Sequence, residues 1–263
     1  MYKCEHCKLL FIYPLPPSLE HIYTEEYFSG AEDGYGYTDY DADKLPMIPT
    51  FKKYLDIQKK YRPEKGTLLD VGAATGFFME MARNDSWKVS GVELSEYAVR
   101  VGKKKGLDIR VGDIHSAQFP KNSFDAITMF DVVEHMTYPE RDIQEAAKLL
   151  KPHGILVINT PDAQSLFARI LGKRWHLIVP PEHIHYFSPH NLSILLKRNG
   201  FEILEVKKIG KKFTLQYVLK TMYKWTNVAL WNTLSNEVEN SFLKHVSLPI
   251  NLRDNFFLIA KKI

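Results

Sequence analysis

Two cysteines among 263 residues cannot build a disulfide framework. No apolar run approaches the roughly 18 residues that a membrane-crossing helix requires. The opening Met1-Tyr2-Lys3-Cys4-Glu5-His6-Cys7 has no apolar secretory core, so no leader is expected and a reducing cytoplasm is the expected location. A dominant charge is missing as well. The 35 basic and 31 acidic residues leave +4, which singles out neither a nucleic-acid nor a membrane partner. There is no internal repeat and no low-complexity tract. What is present is a globular composition: 45% hydrophobic and 13% aromatic positions are too apolar for a solvated coil. The length suits one large domain, or one domain with sizeable additions.

The first 62 residues are rich in Tyr, Pro and acids, with weak periodicity. Pro14, Pro16 and Pro17 exclude an early helix. Glu32 to Asp43 reads as an ordered loop or a flap, and Lys52 to Lys60 as a short helix. From Gly66 apolar runs alternate with helical stretches. Strands are expected at Thr67–Val71, Lys88–Glu93, Asp108–Val111, Phe124–Phe130 and Ile155–Asn159. Helices are expected at Gly76–Asn84, Ser95–Lys105, Arg141–Leu150 and Asn191–Arg198, the last stopped by Asn199-Gly200. This alternation predicts right-handed βαβ units and a parallel sheet. Phe201–Ile209 and Asn255–Ala260 read as two late strands. Between them, Gly210 to Asp254 forms an insert. Its Leu215, Val218, Leu219, Met222, Trp225 and Ala229 recur at helical spacing, which predicts a helix packed on the domain, a cap over the substrate or a membrane-surface patch.

The most informative stretch is Leu68-Leu69-Asp70-Val71-Gly72-Ala73-Ala74-Thr75-Gly76-Phe77. A strand ends, a small-residue turn follows and a helix begins. Ligands of open α/β sheets bind at the carboxyl ends of the strands, where such a turn lets them approach the backbone. The helix N-terminus adds free amides and partial positive charge. A dinucleotide fingerprint would need glycine at positions 72, 74 and 77, and the chain has Ala74 and Phe77. Asp70 would also repel a pyrophosphate, whereas it suits an ammonium group. Glu93 ends the next strand, where a carboxylate can take two ribose hydroxyls. Asp113 follows the third strand within reach of an adenine amino group.

These residues carry a resemblance. Asp70-x-Gly72-x-Ala74-x-Gly76, with Glu93, Asp113 and Phe124-Asp125, resembles a class I S-adenosylmethionine-dependent methyltransferase over roughly residues 60–209 plus the closing strand. It points to a bacterial small-molecule subfamily of the type 11/23 kind. The resemblance implies a Rossmann-like, doubly wound α/β fold. Its seven-stranded sheet would be mostly parallel with the last strand antiparallel. A flap over 1–62 would precede a methyltransferase domain over 63–263, with the helical insert at about 210–254. It implies S-adenosyl-L-methionine as cofactor, held by Asp70, Gly72, Ala73, Gly76, Glu93, Leu94, Asp113, Ile114 and Phe130. Ala74 stands where glycine is commoner, and a methyl group is a small change.

Methyl transfer from a sulfonium is an in-line displacement, so the protein must align the acceptor and often remove its proton. Two segments offer the histidines that suit this task. Phe130-Asp131-Val132-Val133-Glu134-His135 follows the fourth strand and resembles a Glu-His found there in small-molecule members. In ubiquinone-type O-methyltransferases a similar acid-x-x-Glu-His group is associated with a divalent metal, and Asp131, Glu134 and His135 match those positions. The alternative is that Glu134 and His135 stabilise the loop. Pro180-Pro181-Glu182-His183-Ile184-His185-Tyr186-Phe187-Ser188-Pro189 follows the fifth strand. It resembles a subfamily linked to glycan or secondary-metabolite pathways. His183 and His185 would point the same way in an extended chain, as base or acceptor-binding groups, or else bond loop backbone. Ser188 is the expected N-cap with Pro189 at the first helical position.

Cys4-x-x-Cys7 and Leu9 to Pro14 look like the second half of a zinc ribbon. A closed zinc site needs four ligands, so no bound zinc and no other resident metal is expected. The tyrosine-rich stretch from Tyr23 to Tyr40 is expected to close over the cofactor or to brace the sheet.

The expected activity is therefore methyl transfer to a small molecule, such as a sugar-linked compound, glycan precursor or secondary metabolite. A quinone or phenol is the alternative acceptor. The non-enzyme alternative is an S-adenosylmethionine-binding regulator or partner subunit. No nucleic-acid partner is expected, because no Asn/Asp-Pro-Pro-aromatic motif follows the fourth strand. A homodimer is compatible with the sequence.

Overall fold

The computed structural model describes residues 1–16, 22–30 and 39–263. Pro17 and the Glu32–Thr38 part of the expected flap lie outside the described residues.

A seven-stranded sheet forms the centre. In space its order is β5 (Asp108–Val111), β4 (Lys88–Glu93), β3 (Thr67–Val71), β6 (Phe124–Phe130), β7 (Leu150–Pro161), β12 (Asn255–Lys262) and β9 (Phe201–Lys207). The strands from β5 to β7 pair in parallel, while β12 runs antiparallel to both β7 and β9. This is the doubly wound, Rossmann-like sheet that the sequence predicts. Its central strands are continuous apolar runs because helices cover both faces: Leu68, Leu69, Leu156, Val157 and Ile158 are fully buried. Chain order reverses beside β3, where β4 lies on one side and β6 on the other. That switch point opens a crevice at the carboxyl ends of the strands.

The helices begin where local chemistry permits. Ser95 caps α5 (Glu96–Lys104) by accepting from the Ala98 amide at 3.4 Å. Ser188 and Asn191 form a reciprocal capping box at α8 (Pro189–Arg198), with Pro189 in the first turn. The helix expected at Lys52–Lys60 is longer. It runs Ile48–Tyr61 (α3), because Pro49 sits in its first turn, where no amide hydrogen bond is lost. Its Phe51, Tyr54 and Leu55 are buried, and Tyr54 stacks on Phe257 with ring centroids 4.5 Å apart.

Two features differ from expectation. The insert is two helices raised on a hairpin. Strands β10 (Lys211–Thr214) and β11 (Ser247–Ile250) pair antiparallel and carry α9 (Leu215–Thr226) and α10 (Ala229–Glu239). Asn227 adopts a left-handed conformation, φ 55°, which ends α9 and places Ala229 in the next helix. The second is a small sheet in which β2 (Leu10–Phe11) pairs with both β1 (Tyr2–Lys3) and β8 (His185–Tyr186). The cysteine-bearing turn thus docks beside the histidine-rich segment.

Candidate active site

The glycine loop is shaped by close approach. Gly72 has φ 72°, and a Cβ there would lie 2.4 Å from Val132 Cγ2. The Gly72 and Ala73 amides donate to the Val92 carbonyl at 2.9 and 3.0 Å, which folds the loop back over β4. Ala74 occupies φ 49°, where glycine is favoured, and its amide is committed to Glu93 Oε2 at 2.9 Å. Gly76 caps α4 (Phe77–Asn84) at φ 82° under Leu107, whose Cδ1 would meet a Cβ at 2.2 Å.

This loop lines a cavity of about 650 Å³, within the roughly 300–1,000 Å³ of small-molecule sites. Asp70, Gly72, Ala73, Glu93, Leu94, Asp113, Ile114 and Phe130 all border it. Among the described residues Gly76 does not, so its part is to shape the turn. The three acids differ in electrostatic state. Burial pushes Asp70 up to about 7, against the opposing Thr128 hydroxyl, which donates to Asp70 Oδ1 at 2.6 Å; the nearby Glu93 charge raises it further. Burial also raises Glu93, opposed by the Ser95 and Ala74 amides on its two oxygens. At Asp113 burial raises too, but the Ser116 and His115 groups outweigh it and hold the carboxyl below its ordinary value. The donor set fits S-adenosylmethionine. A buried carboxylate without a cation among the described residues borders the cavity, as do two acids at neighbouring strand ends, beside Val92 and Ile114.

The other end of the cavity is built from segments far apart in sequence. Tyr23, Tyr27, Phe28 and Tyr40 line it, so part of the expected flap borders the site. Tyr23 Oη lies 3.2 Å from His135 Nδ1, and Tyr27 donates to Glu182 Oε1 at 3.1 Å. Phe28 is buried against Ala74 and Ala98, over the glycine loop.

Asp131 does not match the metal-binding part that the resemblance implies. Its carboxylate takes Lys211 Nζ at 2.7 and 2.8 Å and Asn159 Nδ2 at 2.7 Å. Burial works upward on it, but Lys211 and Lys44 keep it below the ordinary range. The cluster that can hold a divalent cation is Glu134, His135 and His183, with one ligand atom of each within 4.8 Å of the others. Glu134 Oε2 accepts from Thr160 at 2.8 Å, while Oε1 is buried without a hydrogen-bond partner among the described residues, 4.0 Å from His135 Nε2. His135 Nδ1 and His183 Nδ1 face the carbonyls of Glu182 and Leu177 at 2.9 and 2.8 Å. A carbonyl only accepts, so each Nδ1 carries the proton and each Nε2 keeps a lone pair. Burial holds both imidazoles neutral, His135 down to about 3 with help from His183, and His183 down to about 4. Burial and the charge of Asp131 push Glu134 up to about 8.

His183 and His185 do not point the same way. The Ile184 and His185 amides both donate to the Glu134 carbonyl, at 2.9 and 3.0 Å, so strand alternation fails there. His183 packs edge-on against His135 with centroids 4.7 Å apart, whereas His185 stacks on Phe187. Among the described residues only His135 of the three borders the cavity. Sequence reasoning missed Lys44, Lys211, Thr128 and Asn159. Lys44 and Lys211 carry no local motif, and their place follows from the path of the flap and the insert.

Residues 47–206 match the family model described as a methyltransferase domain, which is more than half of the chain, and the chain belongs to that family. A ubiquinone biosynthesis O-methyltransferase of Azoarcus sp. (strain BH72) is 28% identical over 154 residues, 53% of this chain and 65% of that protein. The chain thus spans just under two thirds of that relative's length. A protein of the same name from Xanthomonas axonopodis pv. citri (strain 306) is 27% identical over 184 residues, 64% of this chain and 76% of its own. A solved S-adenosylmethionine-dependent methyltransferase from Archaeoglobus fulgidus shares the fold, with TM-score 0.56, 18% identity and coverage of 81% of this chain and 94% of that one. Family membership makes S-adenosylmethionine the expected cofactor, in agreement with the donor set.

Proposed function

We propose that the chain is an S-adenosylmethionine-dependent methyltransferase that methylates a hydroxyl group of a small molecule. The observation that carries this reading is the placing of Asp70, Glu93 and Asp113 around one cavity, at the ends of three adjacent strands. Asp70 takes the cofactor's ammonium, Glu93 the ribose hydroxyls and Asp113 the adenine amino group. The sulfonium methyl is then directed at the end bordered by His135, Tyr23 and Met136.

His135 is the base of this reading. A neutral imidazole with Nδ1 pinned to a carbonyl presents a free Nε2 to an acceptor hydroxyl. His183 packs edge-on against its ring, and Glu134 Oε1 lies 4.0 Å from Nε2. A divalent cation held by Glu134, His135 and His183 would occupy the Nε2 lone pair, and would then lower the pKa of the acceptor oxygen in place of the base. Of the acceptors expected from sequence, the names of the relatives and the aromatic wall of Tyr23, Tyr27 and Tyr138 favour a phenol or quinol over a sugar-linked compound.

Catechols, hydroquinones and sugar nucleotides should be screened side by side for S-adenosylhomocysteine release. Turnover with aromatic diols and none with sugar nucleotides is the expected result. Cofactor binding with no release from any acceptor would favour the regulator. His135→Ala should lower kcat by about 10²–10⁴-fold with cofactor affinity unchanged, and His185→Ala should leave turnover near the parent value.

A further inference from the structure

An exposed apolar face lies away from the cavity. On α7 (Leu166–Leu171), Leu166 and Ile170 are 73% and 72% exposed, one helical turn apart. The inner side of α7 carries Ala168, which is buried against Trp175 and Tyr186. The Trp225 indole at the end of α9 donates to the Arg174 carbonyl at 2.6 Å, which joins this face to the α9–α10 turn. There Trp225, Val228, Leu230 and Leu234 are 38–57% exposed.

On α7 and the turn after it the charges have one sign, and the acids nearest the α9–α10 turn are Glu237 and Glu239, at the far end of α10. No carboxylate occurs from Ala163 to Pro181, while Arg169, Lys173 and Arg174 are all exposed. None of the three makes an ion pair among the described residues. From Thr226 to Asn236 there is no charge at all. Large apolar side chains flanked on α7 by unpaired cations are the complement of an anionic lipid surface, where the apolar groups enter the headgroup boundary and the cations meet phosphates. No described helix is long and apolar enough to cross a membrane, so contact is confined to the surface. The chain leads from Trp175 to Glu182, which receives the Tyr27 hydroxyl at the cavity wall.

We infer that the face formed by α7, Lys173-Arg174 and the α9–α10 turn docks on an anionic bilayer surface. This inference stands independently of methyl transfer. The test is flotation of the full chain with vesicles of phosphatidylcholine alone or mixed with phosphatidylglycerol, at low and high salt. The protein should float with the anionic vesicles, and salt should release it. Leu166→Ser with Ile170→Ser should weaken binding roughly tenfold or more at unchanged melting temperature. Each Gln substitution at Arg169, Lys173 or Arg174 should weaken it roughly fivefold. No preference for anionic vesicles, or equal binding by the serine variant, would overturn the inference. So would a stable dimer in solution that the serine variant abolishes, because the face would then belong to a second copy.

Discussion

At the end of β3 a carboxylate is shut away from water with, among the described residues, only a hydroxyl to satisfy it. Asp70 is 4% exposed, and Thr128 is its hydrogen-bond donor. Its raised value sets two expectations. Binding a cofactor ammonium needs the carboxylate, so affinity for S-adenosylmethionine should fall as pH drops below about 7, approaching tenfold per unit, and level off above. Calorimetric titration across that range checks this, and Asp70→Asn should bind weakly at every pH. For folding the sign is opposite. A carboxyl that holds its proton longer in the folded state stabilises least above about 7, and that loss accumulates between about 4 and 7. Asp70→Asn should therefore stabilise the cofactor-free chain at pH 8 by about 2–4 kcal/mol, seen in urea unfolding. Asp70, Glu93 and Asp113 were legible in the sequence because each lies at or just beyond the carboxyl end of a predicted strand. The order of the histidines was not, because two consecutive amides on one carbonyl turn His185 away from His183.

The elements that complete the cavity come from outside the sheet. The hairpin β10–β11 brings Lys211 to Asp131, across 80 residues of sequence. Lys211→Ala should cost about 1–2 kcal/mol, less than a fully buried pair, because the Asp131 side chain is 39% exposed toward the cavity. Combining it with Asp131→Asn should recover most of the loss, as thermal unfolding would show. The flap offers a parallel case: Phe28→Ala should raise KM for the cofactor several-fold, because Phe28 packs on the Ala74 methyl above the glycine loop. The first of the insert's helices was visible as a periodic apolar pattern, whereas α10 was not, because Ala229 continued the period that Asn227 breaks. The insert's hairpin was not visible either, because Lys211–Thr214 and Ser247–Ile250 are four residues each and pair across the whole insert. A far longer separation hid the pairing of Leu10 with Tyr186.

At the scale of the whole molecule, the alternation of short apolar strands with capped helices specifies a doubly wound sheet, and the sheet in turn fixes where a ligand sits. Strand ends and helix starts agree with the sequence to within a few residues, since both faces of the sheet must be covered and the apolar runs can satisfy that in one order. A ligand that binds only the folded chain should stabilise it. S-adenosylmethionine at about 100 times its Kd should add about 2.7 kcal/mol, a rise in Tm of about 5–10 °C. The decisive measurement is calorimetric titration of S-adenosylmethionine into the parent chain, Glu93→Ala and Asp113→Ala. The three-acid cradle predicts one cofactor per parent chain and roughly 10–100-fold weaker binding in Glu93→Ala, with a smaller loss in Asp113→Ala. Parent affinity in both folded variants would contradict it.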